Sequence, residues 1–296
     1  MDLRELQYGI EIETISKTRK EVAEAIQSVV GGKVEHIGVP EAHDPWHVVD
    51  RQGRTWKVVA DASLICVSKE YQAEMVSPVL TYADISTLQE VVRAVRRAGA
   101  RVDENCGIHC HISISEFNAR QLSNLARYFY KYEDYMMAAL KINPMRAARY
   151  AKPIQPEFVQ RLERTKPTNM RQLNTLWYGY YNPNPQRYDS SRYCWLNIHG
   201  AFFRQAIEIR AFGGTLNAGK IRAYLTLCLA MAAKAHDIKA INSQKSPIEQ
   251  QSGKYSFRVL LISGLKLNGE EFKNVRKHLL ANLEGSSAWK YGRQAA

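Results

Sequence analysis

Short runs of alternating hydrophobic and polar residues recur along the chain, and they are typical of β-strands with one buried face. Isoleucines alternate with glutamates at positions 10–13, and similar runs follow, each bounded by Gly, Pro, Asp or Asn. A period of two residues places every second side chain on the same face of a strand. The alternation predicts strands at 6–14, 33–38, 46–50, 55–60, 71–76, 104–114, 195–199 and 205–212.

Other segments repeat their apolar residues every three or four positions, which predicts helices. In one of them, Leu88, Val91, Val92 and Val95 share a face, and Asp84 stands where an N-cap residue is expected. Strands with interleaved helices and a helical C-terminal third predict the α+β class. The predicted helices are 17–32, 86–100, 119–140, 218–241, 255–266 and 269–283.

Residues 143–191 show neither period and are rich in Pro, Asn, Arg and Tyr. This composition predicts long loops with short helices, in the manner of a flap over an active site. The chain of 296 residues is long enough to bury a sizeable core. We expect 1–296 to form a single catalytic domain in which 143–191 is an insertion or flap.

The composition is that of an ordinary globular protein, with 45% hydrophobic and 24% charged residues. These values exclude a wholly disordered, collagenous or coiled-coil chain. No apolar run approaches the ~20 residues that span a bilayer. The first residues carry early acidic groups and no apolar signal core. We therefore expect a soluble cytoplasmic protein.

The charge is unevenly distributed. The chain carries a net charge of +12, and residues 141–210 hold 12 Lys and Arg against 4 Asp and Glu. A basic surface favours a polyanionic partner such as a nucleotide, a nucleic acid or an acidic polymer. Aromatic residues lie between these basic residues, which suits stacking on single-stranded bases, although they could equally pack a long loop onto the sheet. They are Trp177, Tyr178, Tyr180, Tyr181, Tyr188, Tyr193 and Trp195.

Five cysteines form an odd and scattered set, which indicates free thiols rather than disulfides. The densest cluster runs from Cys106 to His111 and suggests a zinc site. Strand geometry argues against zinc, because His109 and His111 face one side while Cys106 and Cys110 face the other. The remaining cysteines are Cys66, Cys194 and Cys228.

Several strands carry paired ionisable residues on one face. The pairs are Glu11 with Glu13, His109 with His111, and Glu208 with Arg210, and Glu74 lies inside a further strand. One interpretation is a set of amphipathic strands with solvated outer faces. If the strands are neighbours, however, one sheet face gathers four glutamates and two histidines, a density that requires cations. Carboxylates with few imidazoles suit Mg²⁺ or Mn²⁺, and Arg210 suits a phosphate clamp.

The same residues lie in motifs that resemble those of the carboxylate–amine ligases of the glutamine synthetase and glutamate–cysteine ligase superfamily. The chain is most similar to the amidoligase family within it. Six motifs follow in family order between about residues 8 and 217. They are GIEIE at 9–13, WKVVADASL at 56–64, AEMVSPVL at 73–80, CGIHCH at 106–111, RYCWLN at 192–197 and IEIRAFGGTLN at 207–217.

The resemblance implies a curved antiparallel sheet backed by helices, with ATP and Mg²⁺ or Mn²⁺ bound on the concave face. The residues that match metal ligands are Glu11, Glu13, Glu74, His109 and Glu208. Arg210 and Arg192 match phosphate contacts, and Asp61 matches a residue that holds the incoming amine. His111, Ser77 and Asn197 match substrate contacts. The family usually has Gly after the aspartate, whereas this chain has Ala62, so the turn there can differ.

The implied activity is the formation of an amide. ATP converts a carboxylate to an acyl phosphate, and an amine then attacks it. The carboxylate and the amine are not identified, and a peptide, a nucleotide-linked compound or an acidic polymer would each fit the basic charge. Two alternatives remain: a guanidino-kinase-like phosphotransferase on the same fold, and a nucleic-acid-binding module.

Overall fold

The computed structural model describes residues 1–38, 44–61, 64 and 68–291. The chain divides into two compact units. The sheet unit comprises Gln7–His111 and Phe212–Arg222, and the helical unit comprises Met1–Leu6, Ile112–Ala211 and Ala223–Ala296. The predicted single catalytic domain stays a prediction.

The sheet unit is built on strands β1 (Tyr8–Thr14), β2 (Lys33–His36), β3 (Trp46–Val49), β4 (Thr55–Val59), β5 (Ala73–Val76) and β6 (Gly107–Ser113), of which residues 107–111 belong to this unit. Their order across the sheet is β2-β3-β4-β5-β1-β6. The pairs β2/β3, β3/β4, β4/β5 and β1/β5 are antiparallel. The combination of helices with an antiparallel sheet confirms the predicted α+β class.

The pairing register separates an apolar face of this sheet from a polar one. Ile12 lies opposite Met75, which in turn lies opposite Val58, and all three side chains are fully buried. One residue along, Glu13 lies opposite Glu74, and Glu74 lies opposite Val59. Because side chains alternate along a strand, the glutamates share the face away from the apolar core.

Helices α1 (Arg19–Val30) and α2 (Ile85–Arg97) lie in the sheet unit and pack on each other. Helix α1 packs on β3 and β4 with a buried face that includes Val22 and Ile26. Its N-terminus is closed by a capping box in which the Thr18 hydroxyl accepts from the Glu21 amide. Asp84 stands at the N-cap of α2 but makes no capping hydrogen bond there.

The side chain of Asp84 turns back instead. It accepts from the amide and the hydroxyl of Thr81 and pairs with Arg54 at 2.9 Å. The β3–β4 hairpin is closed by Asp50, whose carboxylate accepts from the amides of Gln52 and Arg54. Arg54 therefore ties the hairpin to the start of α2.

The helical unit contains α3 (Ala119–Leu140), α4 (Pro144–Arg149), α5 (Pro156–Thr165), α6 (Met170–Tyr178), residues 223–237 of α7 (Ala218–Asp237), α8 (Gly253–Val259) and α9 (Lys273–Leu280). Helix α3 is the central element, since it packs against α5, α6 and α9. Two antiparallel strands, β7 (Leu196–Asn197) and β8 (Ala206–Gly213), carry the candidate site residues Asn197, Glu208 and Arg210.

Several strands and helices have different bounds in the structure from those predicted from the sequence. Strand 195–199 shrinks to two residues, because the chain turns into a 3₁₀ helix at His199–Phe202. A side chain at Gly200 would lie 2.5 Å from the Ala206 carbonyl oxygen, so the turn needs glycine. The helix predicted at 255–266 becomes α8 followed by a π-helical turn at Leu260–Gly264. Residues 143–191 contain the three short helices α4, α5 and α6, as predicted.

Among the residues that the structure describes, no helix is long and apolar enough to cross a membrane.

Candidate active site

The polar face of the sheet unit gathers the carboxylates that the sequence singles out. Ligand oxygens of Glu13, Asp61 and Glu74 lie within 4.8 Å of one another. Ligand atoms of Glu11, Glu74 and His109 also lie within 4.8 Å, so Glu74 belongs to both groups. Asp61 follows Val59 by two residues, and Val59 lies opposite Glu74, which explains why Asp61 reaches this face.

Both histidines of β6 contact the carboxylate of Glu11. His109 Nδ1 lies 2.9 Å from Glu11 Oε2, and His111 Nε2 lies 3.0 Å from Glu11 Oε1. Burial alone raises the pKa of Glu11, but the charge of His111 and the hydrogen bonds from both rings outweigh it and hold that pKa well below its usual range. Glu11 is therefore ionised at neutral pH.

Glu13 is 3% exposed and is held from the neighbouring strand. The Gly107 amide donates to Glu13 Oε2 at 2.5 Å, and His109 Nε2 lies 3.7 Å from Glu13 Oε1. His109 thus lies between two glutamates, hydrogen-bonded to Glu11 and close to Glu13. The prediction that His109 and His111 share a face with the glutamates is confirmed by these contacts.

The donor set fits a hard divalent cation. It consists of carboxylate oxygens with one imidazole, the combination that Mg²⁺ and Mn²⁺ accept. None of the four cysteines that the structure describes joins these groups: Cys106, Cys110 and Cys228 are buried free thiols, and Cys194 is a half-buried one. Burial raises the pKa of Cys106 to about 12, so its thiol is neutral in the metal-free protein. Cys66, Ala62 and Ser63 lie outside the described residues.

Ser77, a predicted substrate contact, has its hydroxyl engaged with the main chain. It accepts from the Ile10 amide at 2.9 Å and donates to the Pro78 carbonyl at 2.8 Å. These bonds join β1 to the end of β5. A role for Ser77 in substrate binding stays a prediction.

In the helical unit, Glu208 and Arg210 form a buried ion pair on β8. Arg210 Nη1 lies 2.5 Å from Glu208 Oε1. Arg210 is 6% exposed and Glu208 is 3% exposed. Asn197, on the paired strand, donates to Glu208 Oε2 at 2.8 Å. Its amide oxygen accepts from the His199 backbone. Asn197 therefore orients Glu208, which is a role that the sequence did not indicate.

Arg204 is a further residue that sequence reasoning missed. Its guanidinium lies 3.5 Å from Glu208 Oε2, so two arginines face one glutamate. Arg204 comes just before β8, outside the alternation that identified Glu208 and Arg210, and Gln205 has a left-handed backbone (φ 52°) that redirects the chain. In the sequence, the position of Arg204 four residues before Glu208 is the one signal that indicates their ion pair.

Arg192, the other predicted phosphate contact, lies among tyrosines. Its guanidinium is 5.4 Å from the ring centroids of Tyr188 and Tyr193, and Arg210 lies 6.0 Å from the Tyr193 ring. Tyr193 therefore contacts both predicted phosphate-binding arginines by cation–π interactions.

The aromatic residues of the basic stretch differ in exposure, and Trp177, Tyr178 and Tyr193 are half-buried. Trp195 is 2% exposed, whereas Tyr180, Tyr181 and Tyr188 are 62%, 44% and 67% exposed. Arg171 lies 4.4 Å from the Tyr181 ring centroid. The packing interpretation therefore holds for Trp195 and not for the three exposed tyrosines.

Fold and site together define an α+β protein with a carboxylate–imidazole cluster in one unit and a buried Glu–Arg pair in the other. The family model described as "Putative amidoligase enzyme" matches residues 4–232, and the chain belongs to this family. The predicted resemblance is thereby confirmed. A comparison with curated proteins found no match.

Among solved structures, the chain is similar to a bifunctional glutathione synthetase from Pasteurella multocida, with 12% sequence identity and a TM-score of 0.44. The match covers 95% of this chain and 48% of the synthetase chain. This chain thus spans about half the length of the protein that it matches.

Proposed function

We propose that this protein is an ATP-dependent carboxylate–amine ligase that forms an amide through an acyl phosphate. Family membership supports the general class, and the carboxylate–imidazole cluster on the polar face of the sheet unit is the observation that carries the proposal. A carboxylate is a poor electrophile, and transfer of a phosphoryl group to it needs charge neutralisation around the phosphates.

The metal would be held by Glu11, Glu13, Glu74 and His109, with Glu208 as a further ligand that the family resemblance predicts. A bound Mg²⁺ or Mn²⁺ would act as a Lewis acid that neutralises negative charge on the phosphates. The chain's own contribution is to keep these ligands ionised and oriented. His109 Nδ1 orients Glu11, the Gly107 amide orients Glu13, and the low pKa of Glu11 keeps that carboxylate charged.

Arg210 is the residue that we expect to stabilise the transferred phosphoryl group. Its pairing with Glu208 and its position over Tyr193 keep the guanidinium in one orientation. Asn197 would act by positioning Glu208 rather than by touching the substrate. Asp61 would bind the ammonium of the amine and accept its proton, and Arg192 and His111 would contact phosphate and substrate.

The test is ADP release from ATP across a panel of carboxylates and amines, with mass spectrometry for a new amide. Appearance of the amide together with ADP, lost in EDTA, would support the ligase. ADP release with a phosphorylated nitrogen and no amide would instead support the guanidino-kinase-like alternative.

A polyanion-binding role is a second candidate, which the three exposed tyrosines favour. Arg171 lies over Tyr181, and Arg187 and Arg192 lie 5.3 and 5.4 Å from the Tyr188 ring centroid. Exposed aromatic rings with arginines beside them suit single-stranded nucleic acid. A salt titration of oligonucleotide binding tests this role.

A further inference from the structure

The helical unit contains a cavity of about 230 Å³ that the proposed chemistry does not use. Its walls come from α3, from the extended segment 152–155, from α5 and α6, and from residues 190–198. A dry cavity of about 150 Å³ is large enough to bind benzene. This cavity therefore has room for one aromatic ring or a branched aliphatic group, with space for a short substituent.

The inner wall of the cavity is apolar. Ala126, Ile154, Phe158, Leu196 and Ile198 line it, and each is at most 7% exposed. An apolar group that enters this space loses contact with water and gains contact with an apolar wall.

The walls are fixed by hydrogen bonds and ring contacts. The Ile154 amide donates to the buried carboxylate of Glu133 at 2.8 Å. Trp177 contacts Phe158 edge to face, with ring centroids 5.3 Å apart, and its indole N–H donates to the Ser191 hydroxyl at 2.9 Å. The cavity is thus a formed space, which lowers the entropic cost of binding.

The rim of the cavity carries positive charge only. Lys152 and Arg161 line it and are exposed, and none of the lining residues is acidic. Neither side chain forms an ion pair within the part of the chain that the structure describes. Arg161 donates to the Leu176 carbonyl and lies 6.0 Å from the Phe158 ring centroid, which holds the guanidinium at the mouth.

The cavity lies on the other side of β7 from the Glu208–Arg210 pair. Leu196 lines the cavity, whereas the next residue, Asn197, donates to Glu208. Consecutive side chains of a strand point to opposite faces, so Leu196 and Asn197 point to opposite sides of β7.

We propose that this cavity is a binding site for a small organic acid. The apolar group, about the size of a phenyl ring, fills the space beside Phe158 and Leu196, and the carboxylate is held at the rim by Arg161 and Lys152. An apolar interior with a cationic mouth selects such a molecule over a neutral compound of the same shape, because the carboxylate gains charge-assisted hydrogen bonds. This site adjoins the predicted phosphate contacts without using them, because Tyr193 lines the cavity and also lies beside Arg192 and Arg210.

Ligand-observed ¹⁹F NMR on the full chain, without ATP or metal, tests the proposal. The probe is 4-fluorophenylacetate, and its neutral amide, 4-fluorophenylacetamide, is the matched control. We expect saturable line broadening with the acid and about tenfold weaker binding of the amide, which corresponds to the loss of one charge-assisted contact. Equal binding of the two probes, or no binding of the acid at millimolar concentration, would overturn the proposal.

Variants locate the binding. Arg161→Gln should weaken binding of the acid about tenfold, whereas Arg164→Gln, a change of another exposed arginine on α5 that does not line the cavity, should leave it unchanged. Ala126→Leu puts side-chain atoms into the cavity and should abolish binding. If this variant fails to fold, the pair of arginine variants decides, and equal effects of Arg161→Gln and Arg164→Gln would refute the site.

Discussion

Removing one carboxylate from the proposed metal cluster should stabilise the metal-free protein and weaken its response to Mg²⁺. Oxygens of Glu13, Asp61 and Glu74 lie within 4.8 Å of one another. Two unit charges at that distance repel by ~3.5 kcal/mol at an effective dielectric constant of about 20, before other partners are counted. Glu74→Gln keeps the shape of the side chain and removes two of the three pairwise repulsions in this group.

The expected result follows from linkage between metal binding and folding. Mg²⁺ at 100 times its dissociation constant stabilises the wild-type protein by about 2.7 kcal/mol. At about 2–4 °C per kcal/mol for a chain of this size, Tm should rise by about 5–10 °C. Glu74→Gln should begin from a higher Tm in EDTA and gain little when Mg²⁺ is added.

The assay is thermal unfolding followed by circular dichroism, in EDTA and over a range of Mg²⁺ concentrations. Glu24→Gln is the matched control, because Glu24 is an exposed acid of the same unit on α1 and lies outside the cluster. Equal Mg²⁺-induced shifts in the wild type, Glu74→Gln and Glu24→Gln would refute the metal assignment.

Three further predictions test other parts of the molecule. Arg210→Ala should slow ADP release by ~10²–10³-fold while circular dichroism stays unchanged, and wild-type turnover of this variant would move the phosphate site elsewhere. Asp50→Asn should lower the free energy of unfolding by about 1–3 kcal/mol in urea titrations, because two backbone amides and the Arg54 side chain lose a carboxylate partner. Burial raises the pKa of Asp50, but the hydrogen bonds from Arg54 and Gln52 outweigh it and lower that pKa. The stabilisation by Asp50 should therefore be present above about pH 4 and disappear as the pH falls through the lowered pKa. A difference in free energy of unfolding between wild type and Asp50→Asn that is the same at every pH would contradict this. If the basic stretch binds a polyanion, the affinity for a single-stranded oligonucleotide should fall with salt at a log–log slope of ~0.7 per phosphate contact. The double variant Arg171→Gln with Arg187→Gln should reduce that slope. Absence of binding at ~0.15 M salt would contradict polyanion binding and favour the flap interpretation.

Local patterns were sufficient to identify the residues on each strand face. The alternation around Glu11, His109 and Glu208 predicted which side chains share a face, and the structure confirms it for β1 and β6 through the contacts of Glu11 with both histidines. Such patterns work because the period of two residues follows from strand geometry alone.

The proximity of Asp61 to Glu13 and Glu74 could not be predicted from the alternation of residues along single strands. It depends on the register in which Glu13 lies opposite Glu74 and Glu74 opposite Val59, and these pairs join residues far apart in the chain. The family motifs supplied Asp61 as a candidate without its neighbours. The cavity of the helical unit escaped prediction for the same reason, because its walls come from segments between residues 126 and 198 that show no common period.

The division of the sheet unit between two distant stretches of chain has a consequence for its synthesis. Residues 212–222 belong to this unit, where the Gly214 amide donates to the Cys106 carbonyl and the Gln89 side chain donates to the Ala218 carbonyl. A ribosome that has completed residue 111 must therefore make the intervening residues 112–211 before these bonds can form. At ~5–20 residues per second this takes on the order of 5–20 s, during which the nascent strands lack their last segment. A fragment that ends at residue 111 should for the same reason be a poor folding unit, and the proposed metal ligands of β1, β5 and β6 should become fully ordered only late in translation.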